Sequence, residues 1–573
     1  MSTSASEELL QRLEAYETLP DALLAAPRER SFITVYQPAG DRRYEECSFG
    51  QFLDRAGEFA ALFHGHSLSQ GDPLVLILPQ SVDLMAAFGG AILIGAIPTI
   101  LAYPNFKLDP EKYRHGLAGV TEKIQARLIV LDQEFPSELV RHISVSRPAG
   151  IVQLQEPLLS QRSERPGFAR PGTDDAAFLQ HSAGTTGLQK GVALPHRSVL
   201  NQLRNLVAAL QIGPEDRIVS WLPLYHDMGL IACFILPLAC HLPVVMQSPA
   251  DWILHPASFL HLISRYRCTL CWQPNFAFQF LARRVPEAER AGLDLSCMRV
   301  MVSTSEPVRA HSIEEFYQAY QPYGLSQSSL QTSYGMAENT FAVTQSVIDG
   351  VSLPRTIWVE RNQLWDAGKV QLLDPGKHRA VPLVSCGRCM NSNSIRVVGD
   401  DGVDLPEGRL GEILVRSDSL FDGYFNRPDL SARALQDGWY WTGDLGFLLE
   451  GEIYVIGRKD DAIIVGGKNL YPQDVEEIAC RHPSIQDGRA AAFGVYNHEL
   501  GTDDLVVVAE VSDCEKLQER TEIASEIRTE ILAELGVTPR VVYIVPPRWV
   551  VKSTAGKPAR STNREKFLKE DNW

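Results

Sequence analysis

Residues 180–191 read QHSAGTTGLQKG and are the segment most suited to chemistry. Ser182, Thr185 and Thr186 supply hydroxyls, Gly184 and Gly187 let backbone N–H groups approach an anion, and Lys190 adds a positive charge. A loop of that composition can cradle a polyphosphate, because successive N–H groups and a cation concentrate positive potential at one place. It is not a Walker A loop: Lys190 is followed by Gly191 rather than by Ser or Thr, so the GxxxxGK[ST] spacing fails. A flexible surface loop has the same composition, and the segment alone leaves both readings open.

The elements that must hold such a loop are legible around it. An apolar run, AAFL at 176–179, leads into it, and similar runs occur at 73–79 (PLVLILP), 126–131 (ARLIVL), 217–222 (RIVSWL) and 298–303 (MRVMVS). Near-continuous apolar runs of this length predict strands buried on both faces, as in parallel α/β sheets. Helical patterns at 198–210 and 310–320 fall between them. From about residue 394 the texture changes to short strands separated by Gly, Pro and Asp turns: SIRVVG, GEILVR and GEIYVIG. After Gly457 a further segment carries AAAFGVY, DDLVVVAEV, an amphipathic stretch at 516–535 and VVYIVPP. The expected fold is α/β: a large N-terminal domain (1–458) of mixed and parallel sheets packed with helices plus a β-rich subdomain. A small α+β C-terminal domain (459–573) follows, with the boundary near Lys459 and Asp460.

At 573 residues, with 45% hydrophobic and 22% charged residues, the chain has ordinary globular composition and room for more than one core. A formal net charge of −16 argues against nucleic acid as the main partner, since phosphate backbones need a basic surface. Ten cysteines scattered along the chain do not resemble a secreted disulfide framework. The two CxxC pairs, Cys268/Cys271 and Cys386/Cys389, have no HxxxH nearby, so free and mostly buried thiols are expected rather than a zinc site. The N-terminus lacks the basic start and apolar run of a signal peptide. Residues 84–104 carry no charge over about a membrane span, but their Gly pair, Pro98 and β-rich ending predict a buried helix turning into a strand. Residues 229–247 are read as core in the same way, so no integral membrane contact is expected and the location is expected to be cytoplasmic.

With those elements in view, the loop at 182–191 resembles the signature of the adenylate-forming superfamily, departing from it at Ala183, where Ser is common, and at Gln189, where Pro is usual. Further motifs follow in that superfamily's order. Tyr334-Gly335-Met336-Ala337-Glu338 is similar to its YGxxE element, Trp441-Thr442-Gly443-Asp444 to its TGD element, and Gly457-Arg458-Lys459-Asp460-Asp461 to the element entering the mobile C-terminal domain. Residues 553–557 (STAGK) are similar to the final motif. The resemblance covers essentially the whole chain. It implies the adenylate-forming fold, ATP and Mg²⁺ as cofactors, Glu338 and Thr186 as metal-holding residues, and Lys557 and Glu338 as catalytic residues. By the same resemblance Ser333, Tyr334, Gly335, Met336 and Ala337 line the nucleotide, Asp444 bonds the ribose, Arg458 contacts the nucleotide and Asp460 is the hinge. Each residue also has a plainer reading, Tyr334 as core and Asp444 as a helix cap.

The implied reaction is attack of a carboxylate on the α-phosphorus of ATP. Two anions must meet, so fixed positive charge and in-line positioning carry the catalysis. Other segments look like fatty acyl-AMP ligases within the superfamily: WLPLYHDMGL at 221–230, residues 248–270, QPNFAFQFL, LDLSCMRV and SEPV. The branch's Asn-Gly-Ala-Glu-Pro stretch is Ser303-Thr304-Ser305-Glu306-Pro307 here, a departure near the expected adenine and acyl sites. Residues 344–382 look like the insertion that marks this branch, which is thought to restrain the C-terminal domain and disfavour CoA. His226, Trp252, Trp272, Phe276, Phe278 and Ser303 are the expected acyl-pocket residues, with ordinary core as the alternative for the aromatic ones. The branch implies transfer of the acyl group to the phosphopantetheine thiol of an acyl carrier protein. Seven basic residues against one acidic residue between Arg548 and Lys569 could steer an acidic carrier, or could serve ATP and solvation. An acyl-CoA ligase, an aryl-acid adenylating enzyme and a non-catalytic acyl-adenylate binder remain alternatives.

Overall fold

The apolar runs become the centre of a long sheet. In the computed structural model, residues 5–570 are described apart from 39–43, 105–109, 144–149, 155–166, 182–189, 366, 378, 466–467, 498–501 and 554–555. Among the described residues, six strands lie parallel and adjacent: Leu330–Gly335, Val300–Ser303, Leu270–Gln273, Ile218–Ser220, Val244–Gln247 and Ser31–Tyr36. Antiparallel strands Ala342–Gln345 and Arg388–Cys389 extend one edge, and Tyr44–Ser48 the other. The inner strands are buried at every position, which is why their sequences carry no polar alternation.

A second parallel sheet orders Ile97–Ile100, Pro73–Ile77, Leu128–Leu131 and Ile151–Gln153. The uncharged stretch at 84–104 is helix Val82–Leu93 followed by the strand Ile97–Ile100, both inside the core. Gly90 explains the glycine pair: a Cβ there would lie 2.5 Å from the Ala56 carbonyl oxygen of helix Phe49–Gly65, so only glycine lets the two helices approach this closely. Residues 229–247 are core as well, but with a twist the pattern did not foretell. Met228–Ile235 is a π-helix, and the Leu236 N–H reaches back to the Ile231 carbonyl, five residues away. Pro237 follows immediately and has no N–H to continue an α-ladder, so the wider turn absorbs the mismatch. Among the described residues no helix is long and apolar enough to cross a membrane.

The β-rich texture after residue 394 forms an antiparallel sheet of Ser394–Val398, Gly411–Arg416, Leu435–Gln436, Trp439–Leu449 and Glu452–Arg458. Beyond it, Ile485–Asn497, Thr502–Val511 and Val541–Val545 make a three-stranded sheet covered by helices Pro472–Arg481, Arg520–Leu535 and Arg560–Lys569. Two hydrophobic clusters, one around Val475, Val507 and Ile527 and one around Val506, Trp549 and Phe567, draw only on residues from Ile463 onward. The amphipathic stretch at 516–535 is split: a 3₁₀ turn, Cys514–Glu519, started by the Asp513 carboxylate accepting the Glu515 N–H at 3.1 Å, precedes the α-helix. All ten cysteines are free thiols, and no group of metal-ligating side chains gathers among the described residues.

Candidate active site

The chemistry-bearing residues collect where parallel strands end, the edge at which α/β sheets hold ligands. Ser303 closes Val300–Ser303, Tyr334 and Gly335 close Leu330–Gly335, and Trp221 follows Ile218–Ser220. Ser333 is buried and its hydroxyl donates to the Thr344 carbonyl at 2.7 Å, which fixes the strand end carrying Tyr334.

Tyr334 donates its hydroxyl to Asp444 Oδ2 at 2.7 Å. Asp444 lies in the strand Trp439–Leu449, where its own N–H bonds Thr442 Oγ1 at 3.0 Å. Across the ladder its register partner is Arg458, whose guanidinium sits 3.3 Å from Asp444 Oδ1 and bonds the Thr442 carbonyl at 2.9 Å. Burial pushes the Asp444 carboxyl above its usual range, and the Arg458 charge only partly offsets this. Tyr334 on one strand end and Asp444 and Arg458 on a hairpin more than a hundred residues later therefore form one unit, joined by a hydrogen bond and an ion pair. Met336 and Ala337 continue the turn, with the Met336 N–H on the Phe341 carbonyl at 2.7 Å.

Glu338 is buried, and one carboxylate oxygen accepts the Tyr424 hydroxyl at 2.8 Å. The Lys190 ammonium stands 4.8 Å from the centre of the Tyr424 ring. A cation, a phenol and a carboxylate are thereby placed together beside Lys190; Ser182, Gly184, Thr185, Thr186 and Gly187 lie outside the described residues. Tyr424 was not singled out from sequence, because nothing local marks it and its partner is 86 positions away.

Lys557 arrives from the C-terminal segment. Its ammonium donates to the Ser305 carbonyl, and Glu306, Asp227, Asp444 and Arg458 are the charges that act on it. Burial holds the lysine below its ordinary value of 10.5, opposed by those three carboxylates. His226 pairs with Asp227 at 2.6 Å. Burial works against the Asp227 carboxylate, yet His226 and the Met228 N–H keep it below its usual range. Asp460, in the turn Lys459–Asp461, is exposed, while its neighbours Lys459 and Asp461 are tied to Asp400 and Arg560 at 2.9 and 2.7 Å.

The expected acyl-pocket residues separate. Trp252 stacks on Trp221 with ring centres 3.7 Å apart, and the rim-exposed Phe276 meets both edge-on at 6.1 Å. Phe276 also faces the C-terminal segment: a Cβ on Gly556 would lie 4.0 Å from its ring. Phe278 instead packs on Phe316 in the helix core and is not brought to this cluster. Trp272 and Ser303 are fully buried on adjacent central strands, with the indole N–H and the hydroxyl lacking partners among the described residues. The sequence motif WLPLYHDMGL contained Trp221 and Asp227, and both proved as close to the site as the residues chosen from it.

A model of the AMP-binding enzyme family matches residues 25–425. The medium-chain fatty acid–acyl-carrier-protein ligase JamA of Moorena producens is 29% identical, over 97% of this chain and 96% of its own. The long-chain fatty acid–AMP ligase FadD32 of Mycolicibacterium smegmatis is 29% identical over 91% of this chain and 89% of its own. A solved structure from work on fatty acyl-adenylate ligases of E. coli and L. pneumophila superposes with a TM-score of 0.89, at 29% identity, covering 97% of this chain and 99% of that one.

Proposed function

The chain belongs to the AMP-binding enzyme family, and on that premise we propose that it is a fatty acyl-AMP ligase. A fatty acid carboxylate oxygen attacks the α-phosphorus of ATP, the bond to the β-phosphate oxygen breaks, and pyrophosphate leaves with acyl-AMP retained. The observation that carries the reading is convergence: a half-buried ammonium, Lys557, held at the Ser305 carbonyl, lies within electrostatic reach of Asp444 and Arg458, which Tyr334 joins at the ends of the parallel strands. Lys557 supplies charge between carboxylate and phosphate, Asp444 and Arg458 bind the ribose and its phosphate side, and Tyr334 lies against the adenine. Preorganised charge at that point lowers the barrier without reorganisation during the reaction.

Glu338 suits a magnesium ion. It offers hard carboxylate oxygen, Tyr424 occupies one oxygen and orients the group, and magnesium commonly takes one or two carboxylates together with substrate phosphates. When bound, the ion neutralises phosphate charge; Thr186 is its second protein ligand in this proposal. Trp221, Trp252 and Phe276 form the apolar wall for the acyl chain beside His226 and Ser303. The names of JamA and FadD32 support a fatty acid as substrate, and that of JamA supports a carrier-protein thiol as acceptor. In that second step the thiolate sulfur attacks the acyl carbon and AMP leaves, after rearrangement of residues 459–573 about Asp460 in the cytoplasm. The insertion reading gains support from Trp365, which packs edge-on against Tyr471 with ring centres 5.9 Å apart.

The basic run between Arg548 and Lys569 lends the carrier little support. Lys557 is engaged at Ser305, Arg560 pairs with Asp461 and Glu476 at 2.7 and 2.8 Å, and Lys566 bonds the Trp549 carbonyl at 2.8 Å. Lys552 is turned into the fold, where burial lowers it to about 8.

Incubation with ATP, magnesium, a panel of medium- and long-chain fatty acids and CoA tests the assignment. Acyl-AMP and pyrophosphate are expected to accumulate without acyl-CoA; efficient acyl-CoA formation would favour a CoA ligase. A pH profile adds a second check. The protonated Lys557 is the competent form, and its value lies below 10.5 in the free enzyme. Raising the pH removes that proton, so kcat/KM for pyrophosphate release should fall on the alkaline side before pH 10.5, and the limb should move upward in Lys557→Arg. A profile flat through that range would remove Lys557 from the step.

A further inference from the structure

We infer that Arg309 is the positioning residue that sets Lys557 for adenylation, by gripping the C-terminal segment with the same short loop that receives the lysine. The inference rests on the adenylation reading above and assigns a role outside the nucleotide and metal contacts.

Residues 304–309 follow the central strand Val300–Ser303. Ser305 adopts φ 70°, a left-handed conformation that costs a non-glycine residue about 1–2 kcal/mol, and from this turn its carbonyl receives the Lys557 ammonium. Four residues on, the Arg309 guanidinium forks: one nitrogen lies 3.2 Å from Asp474 and another 3.1 Å from Glu477. Those two carboxylates stand three residues apart on helix Pro472–Arg481 and so share one face. The helix's other face belongs to the C-terminal core through Val475, Ile478 and Ala479.

The grip is anchored on both sides. The Arg309 N–H is held by Asn275 Oδ1 at 2.9 Å, and the Glu306 carboxylate accepts the neighbouring Phe276 N–H at 2.5 Å. Loop 304–309 is thus fixed to the start of helix Asn275–Arg284. Side-chain exposure is 26% for Arg309, 16% for Asp474 and 26% for Glu477, so water screens this trio less than an open surface pair. A planar guanidinium bridging two carboxylates also fixes orientation, which a lysine could not do. The C-terminal helix and the lysine are therefore referenced to one loop. Losing the grip leaves the helix held to the N-terminal part by fewer ties, among them Gln473 Nε2 on the Ile456 carbonyl at 2.7 Å, and touches none of the residues proposed to bind ATP. A displacement of about 1 Å at the reacting centre costs on the order of 100-fold.

The test compares wild type, Arg309→Ala and the charge swap Arg309→Glu/Glu477→Arg in two assays plus thermal melting. One assay reads fatty-acid-dependent pyrophosphate release; the other supplies purified acyl-AMP and reads acyl transfer to pantetheine. Arg309→Ala is expected to lose roughly 10- to 100-fold in pyrophosphate release, keep ATP affinity within about two-fold, and transfer from supplied acyl-AMP at or above the wild-type rate. The swap is expected to restore part of the release. Undiminished release, or equal loss in both assays, overturns the inference. Should Arg309→Ala melt early, Asp474→Asn/Glu477→Gln, which leaves the loop untouched, must show the same selective loss; failure to do so overturns it equally. Absence of pyrophosphate release from the wild type would instead refute the ligase assignment.

Discussion

Lys557→Ala is expected to lower acyl-AMP formation by about 100- to 1,000-fold, equivalent to roughly 3–4 kcal/mol of barrier, while ATP still binds. The size follows from where the charge sits. The lysine is half-buried, held at the Ser305 carbonyl under the influence of Glu306, Asp227 and Asp444, so its ammonium is screened less than one in open water. No other ammonium or guanidinium that we place at the site comes from the C-terminal segment; Lys190 stands by Tyr424, and Arg458 is committed to Asp444 and Thr442. In the proposed assignment Tyr334, Asp444, Arg458 and Lys190 bind ATP, so equilibrium binding should change little. Pyrophosphate release and nucleotide binding measured on the same preparation separate the two. Turnover near wild type would remove the residue from the chemical step.

Gly335→Ala should be as damaging by a different route. A Cβ at this position would lie 2.2 Å from the Phe341 carbonyl oxygen and 2.9 Å from the Ala342 Cα, both backbone atoms that cannot rotate away. The close approach exists because the chain turns back between Tyr334 and Ala342, where the register shifts and Met336 bonds Phe341. Relieving the clash means moving the turn that presents Tyr334 on one side and Glu338 on the other. A destabilisation of about 1–3 kcal/mol is expected, as for overpacking elsewhere, together with near-complete loss of acyl-AMP formation in the protein that still folds. Urea unfolding read beside pyrophosphate release tests both parts, and an alanine variant with wild-type stability and rate would contradict the geometry.

Much of the scaffold was legible because burial on both faces leaves a plain mark. Pro73–Ile77 and Val300–Ser303 read as strands from their apolar runs, and helix Ala310–Tyr320 appeared with its predicted bounds. The π-turn at Met228–Ile235 left no such mark, since a uniformly apolar segment has no periodicity from which to read its pitch. Motif residues Tyr334, Asp444 and Lys557 were nameable one by one, but bringing them near one another depends on two sheets and a crossing of the C-terminal segment. Tyr424 beneath Glu338 and the Arg309 grip on Asp474, 165 positions apart, are pairings of ordinary residues without local signature. Among the aromatic candidates, type alone could not tell Phe276 at the rim from Phe278 in the core two residues later; only the facing of helix Asn275–Arg284 decides.

The central claim, that a carboxylate oxygen attacks the α-phosphorus, is tested most directly by isotope position. Fatty acid labelled with ¹⁸O in its carboxylate is incubated with ATP and magnesium, the product is cleaved at the acyl carbon with hydroxylamine, and AMP and pyrophosphate are analysed by mass. One ¹⁸O per molecule should appear in AMP and none in pyrophosphate. Unlabelled AMP, or label released as inorganic phosphate, would contradict the account.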